Sequence, residues 1–515
     1  MKLFSPLVLL AACSIGATAL AADKSDPDKG ADNKKPKGKT DLRAAEAEYY
    51  KIVTLPIPPN VALEAGALQW MGKGRLAAST RQGDIYMIDN TLDDPPANLK
   101  FTQFASGLHE VLGLTAKDGW IYATQRGEET RMKDVDGDGR ADIFETVGDP
   151  WGINGDYHEY AFGSKFDRDG NLWIVLCLTG SFNSNSPFRG WCFRLTPDGK
   201  WIPTCSGIRS PGGIGMNAEG VMFYMDNQGP WNGADALKEL RPGYFMGHPA
   251  GLKWYDEPAT KDMIAASGVK RPEEPKSGSR IYDEAKRIPL YMPPAIIFPY
   301  PEMGQSGSGI ACDLNKGKFG PFDKQLFIGD QSHSTVMRVF LEKVNDRYQG
   351  ACFPFREGFD SGNLALEWAD DGSLFVYGTD RGWGARGGHE YALQRIVWTG
   401  KTPFEIQEMR AKPDGFEFTF TEPVDPQTAA DPASYTIKTF THIFQASYGS
   451  PKVDDTVPVI KSVTVAPDHR SARLIVEGLV EGHVHELHLP GVKSETGASL
   501  LHPDAYYTLN IIPAK

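Results

Sequence analysis

The stretch HEYAFGSKFDRDGNLWIV, residues 158–175, contains an apolar run, a polar Asp-Gly turn and a second apolar run. The same pattern recurs in stretches that begin at Gly66, Leu112, Gly213, Gly309 and Leu364. In five of these six copies the turn contains one of these glycines: Gly74, Gly119, Gly170, Gly220 and Gly372. A period of roughly fifty residues is typical of one four-stranded blade per repeat. The sequence therefore predicts a six-bladed β-propeller over residues 45–400, closed by an outer strand within residues 49–56.

The composition favours an all-β globular protein. The chain has 515 residues, of which 41% are hydrophobic, 55 are Gly and 37 are Pro, and helical periodicity is scarce. The formal net charge is −12. Because phosphate binding needs clustered basic side chains, which occur only in a short N-terminal segment, we exclude nucleic acid as a partner.

The N-terminus is typical of an export signal. Lys2 precedes an apolar stretch, and the small residues ALA at 19–21 suit a cleavage site. Residues 1–21 are therefore predicted to be a signal peptide, and the protein to be periplasmic or extracellular. Alternatively, LAAC at 10–13 resembles a lipobox, in which case Cys13 is lipidated and anchors the protein to a membrane. Residues 22–44 are too polar to bury apolar area and are predicted to be a disordered linker.

Beyond residue 400 the repeat stops and a second pattern begins. The stretch GFEFTFTEPV at 415–424 alternates apolar and polar residues, and further strand candidates follow as far as residue 512. This pattern predicts a β-sandwich over residues 401–515. The segment FTEPVDPQTAADPASYTI resembles bacterial Ig-like modules, which implies a spacer or docking platform. Its histidines His483, His485 and His488 are either metal ligands or exposed strand residues.

Two cysteines flank a predicted hairpin. Cys192 and Cys205 lie at equal distances from the Asp198-Gly199 turn and are expected to face each other on adjacent strands. They form either a cross-strand disulfide or two buried thiols.

Polar residues collect where a propeller opens. The segments that enter the inner strands and the turns after the second strands lie on one face of the ring. These segments carry His109, His158, Arg209, Ser306, Asn363, Arg126, Glu128, Asn183, Gln228, Asp330, His333, Asp380 and Arg381. Any one of these residues is explained by hydrogen bonds to backbone groups at the opening of the ring. Their number on one face, however, predicts a binding site.

A calcium loop is predicted within the second repeat. The stretch DVDGDGRADIFE at 134–145 matches the twelve-position calcium-loop pattern, in which oxygen ligands suit a hard cation. The predicted ligands are the carboxylates of Asp134, Asp136, Asp138, Asp142 and Glu145 with the carbonyl of Arg140. The alternative is a solvated acidic hairpin without metal. Because strands rather than helices flank the loop, bound calcium is expected to stabilise the blade and not to act as a sensor.

The run DNQGPWNGADALKELRPGYFMGHP at 226–249 resembles the soluble PQQ-dependent glucose and sorbosone dehydrogenases, and the resemblance extends over residues 60–400. It implies that the turn formed by Gln228, Gly229 and Pro230 gives backbone oxygens to a calcium ion beneath the quinone. It also implies that His158 is the catalytic histidine, and that Arg209 belongs to the entry of the next blade and acts in catalysis.

The chain departs from that family at the cofactor contacts. It reads GDQSHS at 329–334 where the family has a lysine, and GNL at 362–364 where the family has Arg-x-Arg. A quinone with three carboxylates needs compensating cations. Arg126, Arg381 and Arg386 are expected to supply them from other turns.

The resemblance implies an enzyme that oxidises an aldose- or sorbosone-type carbohydrate with PQQ and calcium. In that enzyme His158 is the general base and an acceptor protein receives the electrons. One alternative is a non-catalytic carbohydrate-binding or cell-surface propeller. Another is a metal-dependent sugar-lactone hydrolase with carboxylate and Asn ligands at the ring centre. Convergence of three or more Arg or Lys side chains near His158 favours the first interpretation over the second.

Overall fold

The computed structural model describes residues 41–382 and 384–515, which are almost entirely β-structure. The predicted signal peptide, Cys13 and most of the predicted linker lie outside the described residues. Helix α1 (Arg43–Ala47) begins at the end of the predicted linker and buries Glu46. In the described part of the chain, no helix is both long and apolar enough to cross a membrane.

The chain forms six four-stranded blades, which confirms the predicted six-bladed propeller. After β1 (Tyr50–Thr54), blade 1 contains β2 (Ala65–Gly72), β3 (Arg75–Thr80), β4 (Ile85–Asp89) and β5 (Lys100–Ala105). Blade 2 contains β6 (Gly113–Lys117), β7 (Trp120–Thr124), β8 (Glu129–Lys133) and β9 (Ile143–Gly148). Blade 3 contains β10 (Ala161–Phe166), β11 (Leu172–Leu176), β12 (Trp191–Leu195) and β13 (Trp201–Ser206).

Blade 4 carries a long insertion before its last strand. It contains β14 (Pro211–Met216), β15 (Met222–Asp226) and β16 (Asp235–Glu239). The insertion then forms a 3₁₀ helix (Pro249–Tyr255), α2 (Lys261–Ser267), β17 (Ser279–Arg280) and α3 (Ile281–Arg287), and β18 (Ile296–Phe298) completes the blade. Blade 5 contains β19 (Gly307–Cys312), β20 (Leu326–Asp330), β21 (Thr335–Val344) and β22 (Arg347–Glu357). Blade 6 contains β23 (Asn363–Trp368), β24 (Leu374–Thr379) and β25 (Tyr391–Trp398).

The ring closes as predicted, because β1 is the outer strand of blade 6. It pairs antiparallel with β25, from Tyr50 opposite Trp398 to Thr54 opposite Gln394. The inner strands crowd the centre of the ring. Gly113 and Gly163 pair across blades 2 and 3, and a Cβ on Gly113 would lie 2.6 Å from the Gly163 backbone. Only glycine therefore permits this approach.

One hydrogen bond recurs in every blade and defines a common face, called here the mouth. In each blade a backbone N–H near the end of the second strand donates to a carbonyl of the entry segment, at 2.8–3.1 Å. The six bonds are Arg81 to Glu64, Arg126 to His109, Cys177 to Tyr160, Asn227 to Ser210, Gln331 to Ser306 and Thr379 to Gly362. The polar segments predicted to share one face therefore do so.

The C-terminal residues form a two-sheet β-sandwich. One sheet contains β26 (Ile406–Lys412), β27 (Gly415–Phe420), β31 (Ser471–Glu477) and β30 (Val459–Val465). The other contains β29 (Lys452–Thr456), β28 (Thr436–Phe444), β32 (His483–His488) and β33 (Asp504–Leu509). Helix α4 (Pro426–Ala430) and a 3₁₀ turn (Pro432–Ser434) precede β28. The Ig-like character of this sandwich stays a prediction.

The sandwich is continuous with the propeller. Strand β33 pairs with β22, the outer strand of blade 5, and Phe340, Ala351 and Phe353 of that blade belong to the sandwich core. Residues 41–515 therefore lie in one compact unit, and the spacer role implied for the sandwich does not describe this arrangement. The pairing also covers a sheet edge that would otherwise expose unpaired backbone groups.

A buried ionic triad joins α1 to the sandwich. His502 lies between the carboxylates of Glu46, 3.0 Å from Nε2, and Glu405, 2.6 Å from Nδ1. Burial alone lowers the pKa of this imidazole, but the two carboxylates outweigh it and raise the pKa to about 10. The charged His502 thus links helix α1 to the sandwich.

We expect the stabilisation by His502 to depend on pH. Because its folded pKa of about 10 lies above the unfolded value of 6.5, the contribution is complete below pH 6.5 and is lost as the pH rises towards 10. Urea unfolding of wild type and His502→Gln should show a difference of about 3 kcal/mol at pH 6.5, since the substitution leaves buried carboxylates unpaired. The difference should shrink by pH 10. A difference that is constant or grows with pH contradicts the charged triad.

Candidate functional site

Three arginines from three blades converge on one buried glutamate at the mouth. Glu110 lies 3.1 Å from Arg81, 3.2 Å from Arg126 and 4.0 Å from Arg381. Arg381 also pairs with Glu64 at 2.6 Å. Three guanidinium groups therefore face two carboxylates, and this Glu110 cluster carries a net positive charge. Arg81 was missed by sequence reasoning, although it directly follows the second strand of blade 1, as Arg126 and Arg381 follow theirs.

Tyr160 connects the Glu110 cluster to His158. The Tyr160 hydroxyl accepts a hydrogen bond from Arg81 Nη2 at 2.8 Å, and its ring centre lies 5.9 Å from the guanidinium carbon of Arg126. The His158 ring packs edge-on at 5.8 Å from the other side. Burial raises the pKa of Tyr160 to about 12, so the hydroxyl stays protonated at neutral pH. His158 thus lies one aromatic ring away from Arg81 and Arg126.

The segment that carries His158 is held by a fully buried arginine. The Arg189 guanidinium donates at 2.8–3.0 Å to the carbonyl oxygens of Gly152, Glu159, Tyr160 and Arg126. The Asp156 carboxylate accepts from the backbone N–H groups of His158 and Gly180, each at 2.9 Å. These bonds leave little freedom to the backbone of His158. A general base gains efficiency from such rigid support.

Arg209 occupies the turn that the resemblance assigns to calcium. Its Nη1 donates to the Gln228 carbonyl at 2.5 Å, and the Gly229 carbonyl accepts from the Asn232 N–H at 3.1 Å. A cationic donor on this turn, which also contains Pro230, disfavours a metal cation there, and the implied calcium role of the turn stays a prediction. A Cβ on Gly229 would lie 1.9 Å from the guanidinium carbon, so the glycine is required for the close approach of Arg209.

The predicted calcium loop connects β8 to β9 and is only partly assembled as expected. The carboxylates of Asp134, Asp136 and Asp138 lie within 4.8 Å of one another. Asp142 instead accepts from the Val135 N–H at 2.6 Å, and Glu145 lies on β9 in an ion pair with Arg131 at 2.6 Å. The Arg140 N–H donates to Asp138 at 2.8 Å. Asp142 and Glu145 therefore have protein partners in this structure, and their role as calcium ligands stays a prediction.

On the side of the mouth formed by blades 5 and 6, the chain has the uncharged Gln331 and Asn363 in the stretches where the PQQ-dependent dehydrogenases that it resembles have Lys and Arg. Gln331 donates to the carbonyls of Thr379 and Arg381 at 3.3 Å, and Asn363 is 1% exposed, with an Nδ2 that has no hydrogen-bond partner among the described residues. Arg386 lies outside the Glu110 cluster, with its backbone N–H 3.1 Å from the Ser332 carbonyl. Arg126 and Arg381 are thus the predicted cation sources that join that cluster.

The channel beneath the mouth is too narrow for an organic ligand. Its cavity, lined among others by Arg81, Tyr160, Ser306 and Gln331, has about 30 Å³, which holds one or two water molecules. This cavity therefore leaves no room for an organic ligand below the mouth.

The two cysteines of blade 3 face each other as predicted. Cys192 pairs with Cys205 across β12 and β13, beside a β-bulge. Both side chains are buried free thiols, the second of the two alternatives.

The three sandwich histidines do not form a metal site. His485 is buried against Phe416, and burial lowers its pKa to about 3. His488 pairs with Asp504 at 2.7 Å and Glu486 at 2.8 Å, and hydrogen bonds to these carboxylates raise its pKa to about 9. The Nδ1 of His483 lies 3.0 Å from the Thr439 hydroxyl, so the three histidines have separate surroundings.

No protein-family model and no curated protein matches the sequence. Among solved structures, the chain is similar to a putative oxidoreductase (glucose dehydrogenase) from Thermus thermophilus, with 19% identity and a TM-score of 0.46 over 65% of this chain and 97% of that one. It is also similar to the PQQ-bound aldose sugar dehydrogenase from Streptomyces coelicolor, with 18% identity and a TM-score of 0.47 over 68% and 98%. A putative gluconolactonase matches with 14% identity and a TM-score of 0.36 over 67% and 94%.

We expect Glu110→Gln to lower the free energy of unfolding by about 3 kcal/mol, because it removes the carboxylate shared by two buried arginines. Glu64→Gln is the matched control. Its partner Arg381 has a side chain that is 44% exposed, so the loss should stay below about 1 kcal/mol. Urea unfolding at pH 7 measures both. Equal losses would show that Glu110 is not the common partner of the cluster.

Proposed function

We propose that this protein is an exported carbohydrate oxidoreductase whose propeller mouth binds a sugar together with a quinone cofactor. The proposal rests on the convergence of Arg81, Arg126 and Arg381 around Glu110, one aromatic ring away from His158. Desolvating several charges is costly, and a mouth that only satisfies backbone groups has no need of them. A cationic surface beside a histidine suits a reaction in which a proton is removed near an anionic group.

The residues of the mouth fit PQQ, the cofactor that the resemblance implies. Its carboxylates need N–H donors of high charge, and Arg381 offers one at the mouth. The Arg126 guanidinium is already bonded to Glu110 and to the carbonyls of Asp156 and Glu159, so it adds positive charge nearby. Arg381 is partly exposed and can exchange Glu64 for a ligand carboxylate. The buried Nδ2 of Asn363, which lacks a hydrogen-bond partner among the described residues, is a further donor. When bound, the quinone supplies the two-electron acceptor for the substrate.

His158 is the proposed general base. It takes the proton of a sugar hydroxyl, and the contacts of Asp156 and Arg189 hold the backbone that carries the imidazole. Tyr157 packs against its ring at 3.9 Å and is 45% exposed, so it provides an apolar surface for the sugar beside the base.

The lactone-hydrolase alternative is less well supported. It requires several carboxylate or Asn ligands around one metal at the ring centre. Among residues 41–382 and 384–515, the one cluster of acidic, His or Cys side chains with metal-ligand spacing is that of Asp134, Asp136 and Asp138. Because strands alternate in direction, the β8–β9 loop lies on the face opposite the mouth. The carbohydrate-binding propeller uses the same mouth without turnover and is distinguished by experiment.

Calcium is proposed as a structural ion in the loop 134–142. The N–H of Ala141 donates to the Phe104 carbonyl of β5 at 2.9 Å, so this loop joins blade 2 to blade 1. Glu145 completes the ligand set if it leaves Arg131, and their side chains are 45% and 36% exposed, which makes the pair weak. The ion would thus hold two blades together at a distance from the mouth.

Export and electron transfer complete the proposal. Residues 1–21 direct the protein to the periplasm or the exterior, with anchoring to a membrane only if Cys13 is lipidated. A separate acceptor protein receives the electrons.

We expect His158→Gln to reduce turnover by about 10²- to 10⁴-fold, the usual contribution of a positioned general base. The assay uses protein reconstituted with PQQ and calcium, a dye acceptor and a panel of aldoses and oligosaccharides. Unfolding by urea serves as the control and should be unchanged within about 1 kcal/mol. A variant that keeps full turnover refutes the role of His158, and a wild type without any turnover favours the binding propeller.

We expect calcium to raise the melting temperature of the wild type and not that of Asp136→Ala. A ligand that binds only the folded state stabilises it by about 2.7 kcal/mol at a hundredfold excess over Kd. The matched control is Asp198→Ala in the β12–β13 turn, which should keep the full calcium response. If the wild type has the same melting temperature in calcium and in chelator, the proposal of a bound calcium ion is wrong.

A further inference from the structure

Arg209 is a buried cation whose guanidinium forms no salt bridge with a carboxylate of the described residues. It is 2% exposed, and its Nε and Nη2 have no hydrogen-bond partner within the described residues. The carboxylate of the nearby Asp235 accepts from the N–H groups of Gln228 and Gly307 at 2.8 and 2.7 Å and not from Arg209. Burial and the nearby Asp330 raise the pKa of Asp235 to about 7. A buried arginine in this condition is costly unless an anion completes it.

The two unused N–H groups lie on one edge of the guanidinium. Nη1 is occupied by the carbonyls of Gln228 and Asn227, whereas Nε and Nη2 form the edge that binds a carboxylate with two parallel hydrogen bonds. The missing partner is therefore best matched by a carboxylate.

Two partly exposed aromatic rings cover this guanidinium. The centres of the Phe182 and Tyr448 rings lie 5.8 and 5.3 Å from its carbon and 6.4 Å from each other. Phe182 is 36% exposed and Tyr448 is 42% exposed. Large apolar side chains that stay exposed beside a polar group are typical of a ligand surface, and aromatic rings pack well against the C–H face of a sugar.

Tyr448 comes from the sandwich. It lies in the loop 445–451 between β28 and β29, which is hydrogen-bonded to the propeller turn beneath it. The Trp231 N–H donates to the Gln445 carbonyl at 2.7 Å, and the Ser450 N–H donates to the Gly233 carbonyl at 3.1 Å. The sandwich therefore supplies one wall of the mouth.

We propose that Arg209, Phe182 and Tyr448 form a subsite for an acidic sugar unit, a hexuronate whose carboxylate takes the Nε and Nη2 edge while its ring packs against the aromatic pair. The proposal rests on the carbohydrate-binding mouth proposed above and names its substrate class. Both nitrogens are shielded from solvent in the structure, so the ligand has to move a ring aside. Tyr448 is in a position to do this, because it lies on a loop rather than in a strand.

The test measures binding without turnover. Calorimetric titration of the full-length protein with D-glucuronate and with D-glucose should give at least about tenfold tighter binding of the acid, since the carboxylate adds charge-assisted hydrogen bonds. Arg209→Lys keeps the positive charge but cannot form the two parallel hydrogen bonds to a carboxylate. Tyr448→Ala removes the aromatic ring that the sandwich contributes to the mouth. Each should weaken glucuronate binding by about tenfold. Phe144→Ala, which removes an exposed ring on β9, is the matched control and should change nothing.

The outcomes separate this inference from the proposed oxidoreductase. Tight glucuronate binding that depends on Arg209 and Tyr448 supports the subsite even if no sugar is oxidised. Absence of glucuronate binding, equal affinity for glucose, or insensitivity to both substitutions overturns it. A parallel titration with PQQ identifies the other source of carboxylate. If PQQ binding depends on Arg209 and glucuronate does not bind, the anion belongs to the cofactor and the acidic-sugar subsite is wrong.

Discussion

Closure of the ring by β1 on β25 is the constraint on which the rest of the structure depends. This pairing joins residues near the start of the described chain to the end of blade 6 and leaves the last blade without a free edge. It also determines the mouth, because Arg381 of blade 6 reaches Glu64 of blade 1 only in a closed ring. The positive cluster around Glu110 is thus a consequence of strand pairing far from it.

At the mouth, an ordered backbone carries charged side chains that have little conformational freedom. Arg189 is buried beneath the segment of residues 152–160 and donates to four carbonyl oxygens, so it satisfies groups that would otherwise be unpaired in the protein interior. Burial lowers the pKa of Arg189 to about 10, yet it remains protonated at neutral pH. The side chains of His158 and Tyr160 therefore project from an ordered backbone, and such preorganisation lowers the cost of binding a ligand.

The sandwich is held in place on the propeller because it shares a sheet with blade 5. The pairing of β33 with β22 and the common apolar core give the two parts a single relative position. A domain attached by a flexible linker would not hold Tyr448 at a constant distance from Arg209. The mouth is therefore lined by residues of the propeller and by Tyr448 of the sandwich.

The architecture could be predicted from the amino-acid sequence, because repeats, turn glycines and alternating patterns are local signals that recur in each blade. The sequence also indicated the face on which polar residues collect, the cluster of Asp134, Asp136 and Asp138, and the facing of Cys192 and Cys205. Which charged side chains meet depends on the folded chain and could not be predicted. The pairing of Arg81 with Glu110, of Arg131 with Glu145 and of Arg209 with Gln228 joins side chains whose distance depends on blade packing and strand register. The position of Tyr448 depends on a strand pairing between residues more than a hundred positions apart, which no local pattern records.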